Sequence, residues 1–268
     1  MTTAAVTKAL IPCGGRGTRM LGLTGCAPKE LIPVAGVPAL DWVMRECAAS
    51  GIEDVLVVVA PGKEAIERHA AERAGAPGMP ARAHFAVQPE PRGLADAIRH
   101  GRGFAGDGPL AVALPDNLFV GEQPGLSEVI ESFQRYGKAV VAMVEIAAAE
   151  AARRGATSVV SGRLEGDDFH ITRIPDKGAK DATFDPGGAP SAFTGVGRYV
   201  FTPEVFPAID AVERALAPGA ELDDVPVMQR LLARGRLIGR RMRARFLDIA
   251  LPGGYAEADE LLSVIRNP

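Results

Sequence analysis

Short runs of β-branched and apolar residues alternate with longer segments of helical period through the first half of this sequence. The predicted strands cover residues 8–12, 54–60, 82–87, 110–114 and 138–146, and the predicted helices cover residues 38–50, 63–73, 94–100 and 125–136. Strands that alternate with helices form βαβ units, in which the strands run in one direction and the helices cover both faces. The sequence therefore predicts an α/β fold with a doubly wound, mainly parallel, Rossmann-like sheet.

The alternation weakens after about residue 147. Short strands and turns come first, followed by helices near 203–217 and 223–234, a strand over 245–250 and a helix from about 253 to 266. Because there is no internal repeat and no low-complexity linker, we expect one domain over residues 1–268, in which a first half to about residue 146 is completed by a second half. The arginines between positions 234 and 245 are expected to lie on a solvated face.

Composition excludes several classes of protein. Of the 268 residues 47% are hydrophobic, and the formal net charge of −3 gives no basic field for a nucleic-acid backbone or an anionic membrane. No apolar run approaches the roughly 18 residues of a membrane span. The three cysteines, Cys13, Cys26 and Cys47, show no metal-binding or redox spacing. We expect reduced thiols in a cytoplasmic protein that binds neither nucleic acid nor membrane.

Several polar and glycine-rich segments directly follow predicted strands. They cover residues 13–19, 88–93, 116–117 and 248. In open α/β sheets, ligands bind outside the carboxyl ends of the strands. These segments are therefore the candidate binding loops.

The first of these loops lies in "LIPCGGRGTRM" and carries Gly14, Gly15 and Gly17. Glycines allow a ligand to approach the backbone closely, so that successive N–H groups can converge on phosphate oxygens. Arg16 and Arg19 add positive charge suited to a polyphosphate. The loop lacks the Gly-Lys-Ser/Thr of a P-loop, and Met20 occupies the third glycine position of a dinucleotide fingerprint. A tight glycine turn without a ligand is the alternative.

The segments "GGRGTRM", "PKELIPVAGVP", "QPEPRGLADAI" and "LPDN" follow one another along the chain. In this order the sequence resembles the sugar-1-phosphate nucleotidyltransferase family, in particular bacterial glucose-1-phosphate uridylyltransferases and thymidylyltransferases. "DKG", "FTGVGRYVFTPEVF" and "FLDIALPGGYAEA" extend the resemblance nearly to the end of the chain. The resemblance implies a nucleotide-binding first half and a sugar-phosphate-binding second half with a small β extension. It also implies transfer of a nucleotidyl group from a nucleoside triphosphate to a sugar 1-phosphate, with release of pyrophosphate.

The resemblance also implies roles for individual residues. Arg19 and Lys29 match the catalytic cations, and Asp116 and Asp248 match the two aspartates that hold Mg²⁺. The implied nucleotide-binding residues are Gly14, Gly15, Gly17, Thr18, Gln88 and Gly93. The implied sugar-phosphate-binding residues are Asp176, Lys177 and Gly197. From residue chemistry alone, the two cations could be solvated surface side chains, Asp116 a turn residue and Asp248 a helix cap.

The nucleotide side matches the family better than the sugar side. "DKG" replaces a Glu-Lys-Pro motif, and Thr157 and Ser158 stand where the family has a Tyr-Gly pair. We expect UTP and glucose 1-phosphate as substrates, with a dTTP-dependent enzyme or a transferase for an unusual sugar-like phosphate as alternatives. A non-catalytic nucleotide-sensing homologue is the competing class. The sequence leaves open whether the protein forms a homo-oligomer.

Overall fold

The structure is a computed structural model that describes residues 3–15, 28–153, 159–176 and 185–266. Within these ranges the chain forms one nine-stranded sheet and two small two-stranded sheets. The strands of the large sheet are β1 (Lys8–Cys13), β4 (Asp54–Val59), β5 (Arg82–Val87), β6 (Leu110–Ala113), β8 (Ala139–Ala147), β9 (Ser161–Glu165), β10 (Asp168–Arg173), β11 (Ser191–Phe201) and β12 (Leu237–Arg241). The small sheets pair β2 (Pro33–Val34) with β3 (Val37–Pro38), and β7 (Asn117–Val120) with β13 (Arg245–Asp248).

The large sheet has the strand order β5-β4-β1-β6-β11-β8-β12-β10-β9. Strands β5, β4, β1 and β6 are parallel to one another, and β12 is parallel to β8. Strand β11 is antiparallel to both of its neighbours, β6 and β8. The prediction of a mainly parallel α/β sheet is therefore confirmed, and one long strand from the second half of the chain lies between strands from the first half.

Helices cover both faces of the sheet. The α-helices are α1 (Ala39–Ala49), α2 (Glu64–Arg73), α3 (Leu94–Arg99), α4 (Arg102–Ala105), α5 (Gly125–Tyr136), α6 (Val205–Ala215), α7 (Asp224–Ala233) and α8 (Pro252–Arg266). Along β1, Ile11 packs into the core with α1 and α5, whereas Leu10 packs into the core with α3 and α6. This alternation places one hydrophobic core on each face. Among the residues that the structure describes, no helix is long and apolar enough to cross a membrane.

The second half differs in detail from the sequence-based expectation. The predicted strand over residues 245–250 is β13, which pairs with β7 outside the large sheet. Strand β12 (sequence "LIGRR") was not predicted, because arginines obscure its apolar character. One of those arginines, Arg240, is only 4% exposed, so the expectation of a solvated face is wrong at this position.

Arg240 is buried in a cluster of charged side chains. Four carboxylates, those of Glu128, Glu131, Asp167 and Asp168, lie within 4.0 Å of its guanidinium. A buried cation requires such compensation, because its transfer from water is costly. The cluster joins α5 on one face to the turn between β9 and β10.

Asp168 is the most fully hydrogen-bonded carboxylate of this cluster. It accepts hydrogen bonds from Ser132 Oγ at 2.8 Å, Tyr136 Oη at 2.9 Å and Arg135 Nη1 at 2.5 Å. Burial alone would raise the pKa of the Asp168 carboxyl, but the bonds from Ser132 and Tyr136 and the charge of Arg135 outweigh burial and lower it. The charged form is therefore the form that stabilises the fold.

We predict that Asp168→Asn lowers the free energy of unfolding by about 2–4 kcal/mol at pH 7, because it breaks a buried charged network. A lowered pKa stabilises the fold at pH values above the unfolded pKa of about 4, and this contribution is lost as the pH falls through the folded pKa. In urea titrations, the difference in free energy of unfolding between Asp168→Asn and wild type should therefore become smaller below pH 4. Asp107→Asn, at an exposed position, is the control. A difference that is constant with pH would contradict the assignment.

Candidate active site

A cavity of 1430 Å³ lies at the carboxyl edge of the large sheet. The loops after β1, β5 and β6 all reach it, as expected for an open α/β sheet. Of the residues predicted to bind substrate, the cavity is lined by Gly14, Gly15, Lys29, Gln88, Gly93 and Asp116. These residues come from four separate segments of the chain, and the fold brings them to one site.

The glycine turn after β1 packs against Gln88. A Cβ atom on Gly14 would lie 2.5 Å from Gln88 Oε1, so any larger residue would displace this amide. Gln88 is 3% exposed, and its Nε2 donates to Asp96 Oδ2 at 2.7 Å and to the Gly93 carbonyl at 3.2 Å. The amide N–H groups of Gln88, an implied nucleotide-binding residue, are therefore bound by acceptors of the protein itself.

The backbone conformation and packing at Gly93 require a glycine. Its φ of +118° is in the region that favours glycine, and a Cβ there would lie 2.5 Å from the Leu222 carbonyl oxygen. The Leu222 N–H in turn donates to the Arg92 carbonyl at 2.6 Å. The segment before α7 is thus held against the loop after β5.

Lys29 and Asp116 form an ion pair in the cavity. Lys29 Nζ donates to Asp116 Oδ2 at 2.5 Å, and both side chains are about 15% exposed. Burial acts to lower the pKa of the Lys29 ammonium, but the charge of Asp116 and the hydrogen bond to it prevail and raise this pKa. The site therefore holds a permanent cation next to a carboxylate.

Arg198, on β11, fixes the loop that carries Asp116. The side chain is fully buried and donates five hydrogen bonds: to both carboxylate oxygens of Glu46 and to the carbonyls of Leu114, Asn117 and Gly197. Five donors are all that a guanidinium has. We did not single out Arg198 from the sequence, although a charge inside the apolar run "GVGRYVF" indicates a buried ion pair.

Asp248 is joined to Asp116 through the backbone. The N–H of Ile249 donates to the Asp116 carbonyl at 3.0 Å, while Asp248 Oδ1 accepts from the Ala250 N–H at 3.0 Å. Asp248 lines a second cavity of 750 Å³ near β13 and α8, not the first one. Among the described residues no group of three or more potential metal ligands occurs. The two aspartates therefore lie on adjacent segments that a backbone hydrogen bond joins, but their side chains line different cavities.

A second group of polar residues in the cavity, Tyr199, Asp223 and Asp224, was not predicted from the sequence. Tyr199 Oη donates to Asp224 Oδ2 at 3.1 Å, and Asp223 caps α7 by accepting from the Asp224 N–H. Burial, followed by the neighbouring Asp223, raises the pKa of the Asp224 carboxyl. Burial and the charge of Asp224 also raise the pKa of Tyr199. These side chains offer hydroxyl and carboxyl groups to a ligand.

Comparison with known proteins identifies the family. The family model described as nucleotidyl transferase matches residues 8–258. The chain belongs to this nucleotidyl transferase family. A Bacillus subtilis (strain 168) protein provisionally named UTP–glucose-1-phosphate uridylyltransferase is 32% identical, over 98% of this chain and 99% of its own. Another protein of that strain, named UTP–glucose-1-phosphate uridylyltransferase, is 29% identical over 93% of this chain and 88% of its own.

Solved structures show that this nucleotidyl transferase shares its fold with enzymes of known structure. UDP-glucose pyrophosphorylase complexed with UDP-glucose has a TM-score of 0.81 and 24% identity, over 96% of this chain and 98% of that chain. UTP-bound UGPase from Acinetobacter baumannii has a TM-score of 0.78 and 24% identity, over 96% and 93%. At these identities the likeness concerns the fold.

Two residues predicted to bind the sugar phosphate in this nucleotidyl transferase do not line the first cavity. A Cβ on Gly197 would lie 2.5 Å from Asn117 Oδ1, to which the Gly197 N–H donates, so this glycine serves packing beside Asp116. Asp176 is exposed and accepts a hydrogen bond from Gln229 Nε2 on α7 at 3.0 Å. The predicted residues Gly17, Thr18, Arg19 and Lys177 lie outside the described residues.

We predict that the free energy of unfolding of Asp224→Asn increases relative to that of wild type as the pH rises. Because the folded pKa is raised, ionisation of Asp224 opposes folding, and wild type loses stability from the unfolded pKa of about 4 upward to the folded pKa. The Asn variant lacks this loss, so urea titrations at pH 5 and pH 8 should show a relative gain of more than ~1 kcal/mol at pH 8. Glu122→Gln, at an exposed position, is the control and should show no such gain. If Asp224→Asn also shows no gain in stability at pH 8, the pKa of Asp224 is not raised.

Proposed function

We propose that this nucleotidyl transferase transfers the uridylyl group of UTP to glucose 1-phosphate, giving UDP-glucose and pyrophosphate. The observation that carries the proposal is the pairing of Lys29 with Asp116 in the same cavity as the glycine turn. A pure nucleotide sensor needs a cation for the phosphates but has no need of a metal-type carboxylate beside it. The names of the Bacillus subtilis relatives support the choice of UTP and glucose 1-phosphate.

In the proposed reaction a phosphate oxygen of glucose 1-phosphate attacks the α-phosphorus of UTP. A new P–O bond forms, the bond from the α-phosphorus to the oxygen that bridges to the β-phosphorus breaks, and pyrophosphate leaves with that oxygen and its electron pair. The nucleophile is already an anion, so no general base is required. The protein must align two polyanions and offset their repulsion.

Two cations, Lys29 and Arg92, are among the described residues that line the cavity, and we assign this task to Lys29 because Arg92 pairs with Glu213 at 3.0 Å, away from the glycine turn in sequence. The raised pKa of Lys29 keeps the ammonium charged, and its four-carbon stem allows it to leave Asp116 for a phosphate oxygen. We infer that the turn at Gly14 and Gly15 offers N–H groups to further phosphate oxygens, because both residues line the cavity and the space beside Gly15 is open. Arg19 is proposed as a second catalytic cation on the family resemblance alone.

Members of this family generally use a divalent metal ion. We propose Mg²⁺, held by Asp116 and Asp248, because carboxylate oxygens are the ligands that this ion prefers. When bound, the ion would neutralise charge on the triphosphate. Asp116 already attracts a cation in the absence of the metal, namely the ammonium of Lys29.

We also propose that the protein is cytoplasmic and forms a single domain. Cys13 and Cys47 are buried free thiols, which supports a reducing, cytoplasmic compartment. The position of β11 between β6 and β8 supports a single domain, because the two halves of the chain contribute adjacent strands of one sheet.

We predict that UTP with glucose 1-phosphate gives the highest kcat/KM in a substrate panel. The panel combines UTP, dTTP, ATP, CTP and GTP with glucose 1-phosphate, galactose 1-phosphate and glucosamine 1-phosphate in the presence of Mg²⁺, and release of pyrophosphate is measured. A preference for dTTP would overturn the choice of base. Binding of UTP without turnover of any pair would overturn the enzymatic proposal.

We predict that Asp116→Asn lowers kcat by about 100-fold or more, because a neutral amide neither holds Mg²⁺ nor pairs with Lys29. Kinetics at millimolar Mg²⁺, together with the thermal unfolding midpoint, separate loss of chemistry from loss of fold. Asp107→Asn is the matched control at an exposed position. A kcat equal to that of wild type would refute the role of Asp116.

A further inference from the structure

Lys63, in the turn between β4 and α2, lies next to the glycine turn at Gly14 and Gly15. Its Nζ donates to the carbonyls of Cys13 and Gly15, both at 2.7 Å, and to Glu30 Oε1 at 3.0 Å. These three acceptors use all three protons of the ammonium. One side chain thus connects the end of β1, the start of the glycine turn and the segment that carries Lys29.

The bonds from Lys63 to Cys13 and Glu30 are partly buried, whereas its bond to Gly15 is exposed. The Glu30 side chain is fully buried and that of Lys63 is 17% exposed. Hydrogen bonds to an ionised donor are shorter and stronger than neutral ones, and burial protects them from competition with water. The Lys63–Glu30 pair therefore restrains the two segments more tightly than a surface ion pair would.

The energetics of buried ion pairs indicate what this pair contributes. Desolvation cancels most of the Coulombic gain, so that such a pair adds little net stability compared with apolar residues of similar size. Glu30 Oε2 illustrates this cost, since it is buried without a hydrogen-bond partner among the described residues. The pair does, however, fix the relative positions of the backbone segments that it joins.

Those segments carry the phosphate-binding groups of the proposed function. The carbonyls of Cys13 and Gly15 point toward Lys63, and Gly14 and Gly15 line the cavity. Glu30 adjoins Lys29 in the short 3-10 helix Lys29–Leu31, so its bond to Lys63 restrains the backbone from which Lys29 reaches the cavity. Lys63 itself does not line that cavity.

We propose that Lys63 is a positioning residue for the triphosphate: its ammonium ties the glycine turn to the Lys29–Glu30 segment, so that the turn and Lys29 are held for the same phosphates. This inference rests on the proposed function and names a residue that acts on the nucleotide without touching it. It requires a selective effect, because the three contacts join the glycine turn to the segment of Lys29, and none of them involves a residue predicted to bind the sugar phosphate.

The kinetic test uses Lys63→Met, which keeps most of the length of the side chain and removes its charge. We expect the KM for UTP to rise about tenfold or more, because the charged hydrogen bonds that hold the glycine turn and the Lys29 segment are lost, whereas the KM for glucose 1-phosphate changes less than twofold. Lys63→Arg restores the charge and should recover most of the UTP affinity. Arg68→Met removes a positive charge at an exposed position of α2 and should behave as wild type.

A second measurement does not depend on turnover or on UTP. Amide hydrogen exchange of the ligand-free protein should be about tenfold faster in peptides that contain Gly14 and Gly15 for Lys63→Met, and unchanged for Arg68→Met. Glu30→Gln, which keeps the side-chain shape, should accelerate the same peptides to a smaller degree. These variants remain informative if wild type fails to make UDP-glucose, so failure of the proposed function is distinguishable from failure of this inference.

Three results would overturn the inference. The first is unchanged exchange at the glycine turn in Lys63→Met. The second applies if wild type turns over UTP, and it is a KM for UTP that is unchanged in Lys63→Met. The third is an equal rise in the KM values for UTP and glucose 1-phosphate with a lowered thermal midpoint, which would assign Lys63 to general stability.

Discussion

The buried pair of Arg198 and Glu46 is the constraint on which the position of Asp116 depends. A guanidinium removed from water must find an acceptor for every donor and a counter-charge, or the fold loses several kcal/mol. Arg198 meets this requirement with Glu46 on α1 and with carbonyls on both sides of Asp116, at Leu114 and Asn117. Because Gly197 has no side chain, Asn117 Oδ1 can approach the Gly197 N–H and accept a hydrogen bond from it. The conformation of the loop after β6 is thus determined by the buried groups to which it is hydrogen-bonded.

Two cations therefore support the site, Arg198 from a fully buried position and Lys63 from a partly buried one. Arg198 holds the loop of Asp116, and Lys63 connects the glycine turn to the segment of Lys29. Lys29 and Asp116, on the segments that these two cations hold, form an ion pair. Backbone carbonyls are the acceptors common to both supports, which leaves the side chains of Lys29 and Asp116 to face the ligand.

The fold was largely predictable from the sequence wherever one physical signal dominated. Strands such as Asp54–Val59 are buried on both faces, so their continuous apolar runs identify them. Strand β12 was missed because Arg240 is compensated by carboxylates that lie far away in the sequence, and periodicity carries no information about such partners. The pairing of β13 with β7 was missed for a related reason: a short strand has the same local pattern whichever sheet it joins.

The candidate site divides in the same way. Motifs predicted Lys29 and Asp116, which the structure places in contact, because residues that face a ligand lie in loops whose spacing is visible in the sequence. Gly93 was predicted too, and the structure adds a reason that the motif does not show, namely the close approach of the Leu222 carbonyl. Lys63 and Arg198 were not predicted, since what marks them is contact with acceptors that lie far away in the sequence. A sequence motif therefore identifies the groups presented to a ligand, whereas the residues that present them become evident only from the packed structure.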